Sequence, residues 1–320
     1  MAHQVESMFS VRETPWHKLG VVVQDAPTAA EAIRLAGLDW SVRTEPLRIA
    51  SDGRPVEACA VVRDSDNSIL GQHVGKDWTP LQNAAAFDWF NPFVESGECS
   101  FETAGSLQSG RRVWVLARIN RAPAEVGPGD EVRGHLLLSN SHDGTLAVRA
   151  GFTPIRVVCA NTLALAHGDK ASSLLRVRHT RNVVTVLAAV RECIDAVTQE
   201  FAATAEQYRF LARRGVSRAD LRKYVRKVLE LTEDKEKPGQ LCGRSATTEA
   251  AVLANFDNGR GAALPTAKGT WWGAYNAVNE FLGYDRGRGD SQRLDSLWFG
   301  DAARINRRAL AAAVEFANAA

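Results

Sequence analysis

The residue types best able to do chemistry in this chain gather at Ser139-Asn-Ser-His-Asp-Gly-Thr145 and, about one hairpin later, at Ile155-Arg-Val-Val-Cys-Ala-Asn-Thr-Leu163. A histidine beside an aspartate supplies the parts of a general base or a metal site, and His135 and His167 could join it in space. Neighbouring residues of an extended strand, however, point to opposite faces. The segment therefore reads better as a tight reversal, in which Asp143 accepts from backbone N–H groups and Gly144 takes a positive φ. Its polar side chains would then crowd a hairpin tip. Cys159 lies in an apolar run and reads as a core thiol, not a nucleophile. On this reading no residue is assigned a catalytic or metal-binding role, and a metal-dependent nuclease or hydrolase centred on His142 and Asp143 is kept as an alternative.

Nucleotide-binding loops are missing from the sequence. No GxxxxGK[ST] stretch is present to cradle a triphosphate and no GxGxxG follows a strand, while Gly283-Tyr-Asp-Arg-Gly-Arg-Gly289 has neither spacing. No cofactor is implied. Cations beside aromatic or flexible neighbours are more informative: Gly75-Lys-Asp-Trp78, Gly110-Arg-Arg-Val-Trp114 and Arg176-Val-Arg-His-Thr-Arg181 hold the ingredients of a groove that follows a phosphate backbone and stacks bases. Trp78 and Trp114 themselves read as core residues. The candidate nucleic-acid contacts are Lys76, Arg111, Arg112, Arg149, Arg156, Arg176, Arg178 and Arg181.

Charge points the same way. Residues 170–228 hold 13 Lys and Arg against 5 Asp and Glu, a local +8 within a chain of net charge +2. Such a run either decorates the solvent face of helices or forms a phosphate-binding surface. With 45% apolar residues, 320 positions suffice for a sizeable core in one large domain or two smaller ones. Cys59, Cys99, Cys159, Cys193 and Cys242 form no CxxC pair, which suits reduced thiols in a cytoplasm and no structural metal. No stretch approaches a membrane span or a signal peptide, so a soluble, cytoplasmic protein is expected.

The elements that must position these residues follow from local signals. Met1 to Val23, with Pro15-Trp-His-Lys-Leu-Gly20, reads as an arm anchored by Trp16 and folded back on the body. Thr28 with Glu31 predicts a capping box for a helix over Ala29 to Ala36, ended by Gly37. Trp40 to Ala50 and Pro55 to Arg63 flank Ser51-Asp-Gly-Arg54 as a hairpin, and Ile69 to Val74 adds a strand. A helix is predicted from Thr79 to about Val94. Strands then follow at Ser100 to Leu107, Arg112 to Ile119, Val132 to Leu138, Leu146 to Phe152 and Ile155 to Cys159. After Asn161 the texture turns helical, with helices predicted over Asn182 to Phe210, from Ser217 to near Glu230, Thr247 to Phe256, Lys268 to Leu282 and Ala302 to Ala319. The fold class is α+β, an antiparallel β-rich N-terminal core followed by a mostly helical C-terminal half, divided as an arm at 1–27, a β-rich core with two short helices at 28–168 and a helical region at 169–320 packed on that core.

Several stretches, in this order, carry a family resemblance: Pro15-Trp-His-Lys-Leu-Gly20, Gly105-Ser-Leu-Gln-Ser-Gly-Arg-Arg-Val-Trp114, Ser141-His-Asp-Gly144, Arg156-Val-Val-Cys-Ala-Asn-Thr-Leu163 and Gly269-Thr-Trp-Trp-Gly-Ala-Tyr-Asn-Ala-Val278. Over nearly its full length the chain resembles the phage/plasmid-like protein family, a domain of unknown function numbered 932. That resemblance implies a mobile genetic element as source and no particular reaction. In outline, a helix, then Gly37-Leu-Asp-Trp-Ser41, then a meander with a basic helical segment is also similar to phage and plasmid single-strand annealing recombinases. This second likeness implies a ring-forming homo-oligomer that binds and anneals single-stranded DNA without hydrolysing nucleotide. The arm, the extra strands from Ser100 to Cys159 and residues 269–320 have no counterpart there. A regulatory or anti-defence factor that docks a host protein through the basic region is the alternative reading.

Overall fold

The computed structural model describes residues 5–12, 20–121, 123–156, 161–162, 174–192, 194–234, 237, 239–286, 296 and 301–319. Trp16, Cys159, His167 and Cys193 lie outside them, as does the side chain of Arg156. The fold is α+β, rich in largely antiparallel strands through the first half and in helices through the second. Contacts group it into two compact units, one of residues 1–121, 135–152 and 173–196, the other of 122–134, 153–172 and 197–320.

The first unit is built on one large sheet and one small one. Strand β1 (Val5–Val11) pairs parallel with β2 (Val21–Val23) and antiparallel with β6 (Cys99–Leu107). The segment read as an arm therefore supplies an interior strand of the sheet. Next to β6 come β7 (Arg112–Ile119), β9 (Asp130–Ser141), β10 (Val148–Arg156) and β12 (Leu174–Val177), in that order. Helix α1 (Ala29–Leu35) starts as its sequence predicts: Thr28 N–H donates to Glu31 Oε2 at 2.9 Å, and Glu31 N–H donates to Thr28 Oγ1 at 3.4 Å. The helix predicted to reach Val94 is instead two, α2 (Asn83–Asp88) and α3 (Asn91–Glu95). Pro92 explains the break, because its ring lacks an N–H and collides with the carbonyl four residues back. These helices, with α4 (Val183–Glu192), cover one sheet face around Phe87, Phe90, Phe101, Val115, Leu138 and Leu187. Trp89 Nε1 donates to the Leu187 carbonyl at 2.8 Å and ties α4 down. The small sheet is the predicted meander, β3 (Val42–Arg48), β4 (Pro55–Arg63) and β5 (Ile69–Gly75).

Two strand expectations change. The polar run read as a hairpin tip belongs largely to β9, which continues to Ser141, so that Ser139, Asn140, Ser141 and His142 are all buried. Pairing with β7 explains it, since Arg112, Val113 and Trp114 sit directly opposite Ser141, Asn140 and Ser139. The strand expected at 146–152 and the described start of the one expected at 155–159 form the single β10, while 157–159 lie outside the described residues.

The second unit holds β8 (Ala124–Gly127) and β11 (Asn161–Thr162), while β9 and β10 contribute residues to both units. Its helices are α5 (Ile194–Ala212), α6 (Arg218–Leu229), α7 (Gly243–Asn258), α8 (Trp271–Glu280) and α9 (Asp301–Ala319), with a π turn (Phe281–Asp285) directly after α8. Every residue of α8 is buried, which places Trp271, Trp272 and Tyr275 at the centre of an aromatic core. Buried Asp130 is satisfied there by Thr266 Oγ1 at 2.5 Å and Trp272 Nε1 at 2.8 Å.

Candidate nucleic-acid interface

The pair His142 and Asp143 does not form a shared acid–base site. Asp143 Oδ1 accepts from the Thr145 N–H at 2.9 Å, from Thr145 Oγ1 at 2.5 Å and from the Ser141 hydroxyl, and Gly144 has φ +72°. The reversal is thus the one the residue types predict. His142 is enclosed, with its Nε2 3.0 Å from Asn83 Oδ1 and its ring 5.3 Å from that of Trp40. Because Asn83 Nδ2 donates to the carbonyls of Leu38 and Trp40, Asn83 Oδ1 must accept, and His142 carries its proton on Nε2. Nδ1 is left bare and without a partner among the described residues. Desolvation, helped by the field of His179, pushes the His142 pKa down to about 3. No solvent-borne substrate reaches it.

Its role is support. The His142 N–H donates to the Arg111 carbonyl at 2.7 Å and so fixes the Gln108–Arg111 turn at the head of β7. That turn is conformationally demanding, with Gln108, Ser109 and Gly110 all at positive φ. A Cβ at Gly110 would stand 2.9 Å from Arg63 Nη2 and 3.0 Å from Glu6 Oε2, so only glycine fits. Buried Arg63 secures the turn by donating to the Ser109 carbonyl at 2.7 Å and to Glu6 at 2.8 Å. His179 does the same for the other cationic stretch. It stacks on Trp78 at 4.7 Å, its Nδ1 lies 3.1 Å from the Thr79 carbonyl, and its own carbonyl accepts from the Thr79 N–H. Neither Trp40, Asn83 nor His179 carries a sequence signal that would have marked it.

The candidate cations separate into groups. Arg111, Arg176, Arg178 and Arg181 are exposed and have no acidic partner among the described residues. Arg149 stands directly opposite Arg176 across β10 and β12. Their strand neighbours Val148, Ala150 and Val177 enter the helix-covered core, as Val113 does beside Arg112. Strand alternation therefore puts Arg112, Arg149 and Arg176 on the opposite face. Lys76 is different: it is ion-paired with Glu57, which raises its pKa. Arg156 lies in β10 opposite Asn161, with its side chain outside the described set. Trp114 and Trp78 are packed, as their types predict.

The basic run itself divides between the two units. Within α6, Arg218 pairs with Asp257 at 2.8 Å, Arg222 and Arg226 share buried Glu249 at 2.6 and 2.7 Å, and Lys227 reaches Glu315 at 2.7 Å. Those acids come from α7 and α9, far away in sequence. Without an acidic partner among the described residues are Arg176, Arg178 and Arg181 in the first unit, where Arg111 is a fourth, and Arg213 and Arg214 just after α5 in the second. Among the described residues no group of three or more His, Cys, Asp or Glu is placed to hold a metal ion. No helix there is long and apolar enough to cross a membrane.

No curated protein and no solved structure matches the chain. A family model does, over residues 71–298, a span that includes β6 to β10, all the candidate cations and α4 to α8. The chain belongs to the family described as a domain of unknown function (DUF932).

Proposed function

We propose that this protein binds single-stranded nucleic acid, DNA foremost, through the cationic surface of its first unit, and that it serves recombination or annealing on a phage or plasmid without hydrolysing nucleotide. Arg176, exposed on β12 and without an acidic partner among the described residues, carries the reading. Arg178, Arg181 and Arg111 add exposed cations without acidic partners among the described residues, as phosphate contacts require. The buried histidines hold both cationic stretches in place, so the surface is shaped before ligand arrives. A homo-oligomer, as in a ring, would extend it into a groove, and the cytoplasm of a bacterial host is its proposed location.

Fluorescence anisotropy with a single-stranded oligonucleotide tests the proposal. Four phosphate contacts give a slope of about −3 in log K against log salt, hence about 50-fold weaker binding at 200 mM than at 50 mM salt. Absence of binding at 50 mM salt rejects it. Docking of a host protein on the same cations is the competing use; there, charge reversal at Arg176, Arg178 and Arg181 would abolish host-protein capture while leaving oligonucleotide binding intact.

A further inference from the structure

The second unit contains a cleft of about 680 Å³, lined by none of the candidate cations of the first unit. It is bounded by the end of α6, the first turns of α7, the π turn and Ile305 of α9. Its volume lies within the range of small-molecule sites. Leu231, Ala251 and Phe281 provide an apolar floor.

Three features give the cleft its chemistry. First, α7 begins at its rim, and the N–H groups of Gly243 and Arg244 have no acceptor among the described residues, leaving donors and a favourable dipole for an anion. Second, two cations line it without acidic partners among the described residues: Arg244 is exposed, and Arg286 buries its Nη1 with nothing to donate to. A buried guanidinium N–H lacking an acceptor is costly, and a bound oxyanion removes that cost. Third, Phe281 and Asp285 belong to the π turn, and Arg286 directly follows it. Such turns are rare and recur at functional sites. The acids of the cleft are engaged elsewhere, Glu230 by Arg308 and Asp285 by Asn255 Nδ2 at 2.7 Å. Ser245 Oγ accepts from the Thr232 N–H, which leaves the Thr248 hydroxyl as a further polar group.

We propose that this cleft binds a phosphate monoester bearing a flat apolar group, that is, a nucleotide. The phosphate sits at the start of α7 between Arg244 and Arg286, the base lies over Leu231, Ala251 and Phe281, and the second oxygen of Asp285 accepts from a sugar hydroxyl. The ligand is either a free nucleoside 5′-phosphate or the phosphorylated end of a strand. Both are tested on the full chain by calorimetric titration, using adenosine 5′-monophosphate against adenosine, and a 5′-phosphorylated tetranucleotide against its unphosphorylated form. The expected result is at least tenfold tighter binding of a phosphorylated probe, with that advantage lost in Arg286→Gln and in Arg244→Gln. Response to the mononucleotide identifies a free nucleotide, and response to the tetranucleotide alone identifies a strand end. The phosphate advantage is expected to persist in the Arg176→Glu/Arg178→Glu/Arg181→Glu variant, so failure of the first unit's surface and failure of this cleft are separable. Should Arg286→Gln unfold, Arg244→Gln, at an exposed side chain, still decides. Equal binding of phosphorylated and unphosphorylated probes, or no effect of Arg244→Gln, overturns the proposal.

Discussion

Lowering the pH from 7.5 to 5.0 should destabilise the first unit, chiefly through His142. Its folded pKa lies near 3, against the ordinary imidazole value of 6.5, because burial disfavours the imidazolium and no acceptor waits at Nδ1 among the described residues. Charged and titratable neighbours act on it in both directions, His179 and Arg63 against protonation and Asp143 in favour. With the folded pKa depressed, the unfolded chain binds the extra proton first, so stability is complete above about pH 6.5 and falls as the pH drops towards 3. At pH 5.0 the loss from His142 is about 2 kcal/mol, and at pH 3 it is about 4 kcal/mol. His179, whose pKa burial also lowers, adds to it in the same direction. The window from 7.5 to 5.0 avoids Asp143, whose lowered pKa keeps it ionised throughout. Urea unfolding at both pH values, on wild type and His142→Gln, measures the effect, and an imidazole nitrogen spectrum reads the tautomer directly. The expected outcome is a proton on Nε2, no titration of His142 above pH 5, and a smaller pH dependence in the variant. A His142 midpoint near 6.5, or an unchanged pH dependence in His142→Gln, refutes the reasoning.

Other outcomes follow from the same structure. Cys242 should be alkylated much faster than Cys99 at pH 8: the hydroxyl and N–H of Ser245 favour the Cys242 thiolate, whereas burial pushes the Cys99 thiol up to about 12, and peptide mass spectrometry after timed iodoacetamide treatment ranks them. Asp130→Ala orphans the buried donors Trp272 Nε1 and Thr266 Oγ1 and should cost about 3 kcal/mol in chemical denaturation, far more than breaking an exposed pair such as Lys223 and Asp220. Gly110→Ala should be destabilising, since it adds a Cβ at φ +83° against Arg63 and Glu6; an unchanged melting temperature would show that the turn relaxes freely.

Much of the secondary structure was legible in the sequence because its signals are local. The capping box of Thr28 and Glu31, the Ser217 cap of α6 and the turn chemistry of Asp143 and Gly144 all act within a few residues. What escaped depends on distant partners. Nothing near Ser139 to His142 announces that β7 will lie alongside and bury them. Charge counting over 170–228 could not separate Arg222 and Arg226, neutralised by Glu249, from Arg176 and Arg178, which face no such acid among the described residues. Residues 135–152 and 173–196 join the first unit while 122–134 joins the second, a division no composition shift marks. The cleft lined by Arg244 and Arg286 is likewise invisible in the sequence, because it is assembled from separate segments between Leu229 and Ile305.

The most direct test of the proposed interface is oligonucleotide affinity at 50 and 200 mM salt for wild type and for Arg176→Glu/Arg178→Glu/Arg181→Glu, three exposed positions whose reversal should leave the core intact. The account expects wild-type binding that weakens about 50-fold between the two conditions and a variant that has lost most of its affinity and salt dependence. Wild-type binding that ignores salt, or a variant that binds as wild type does, would contradict it.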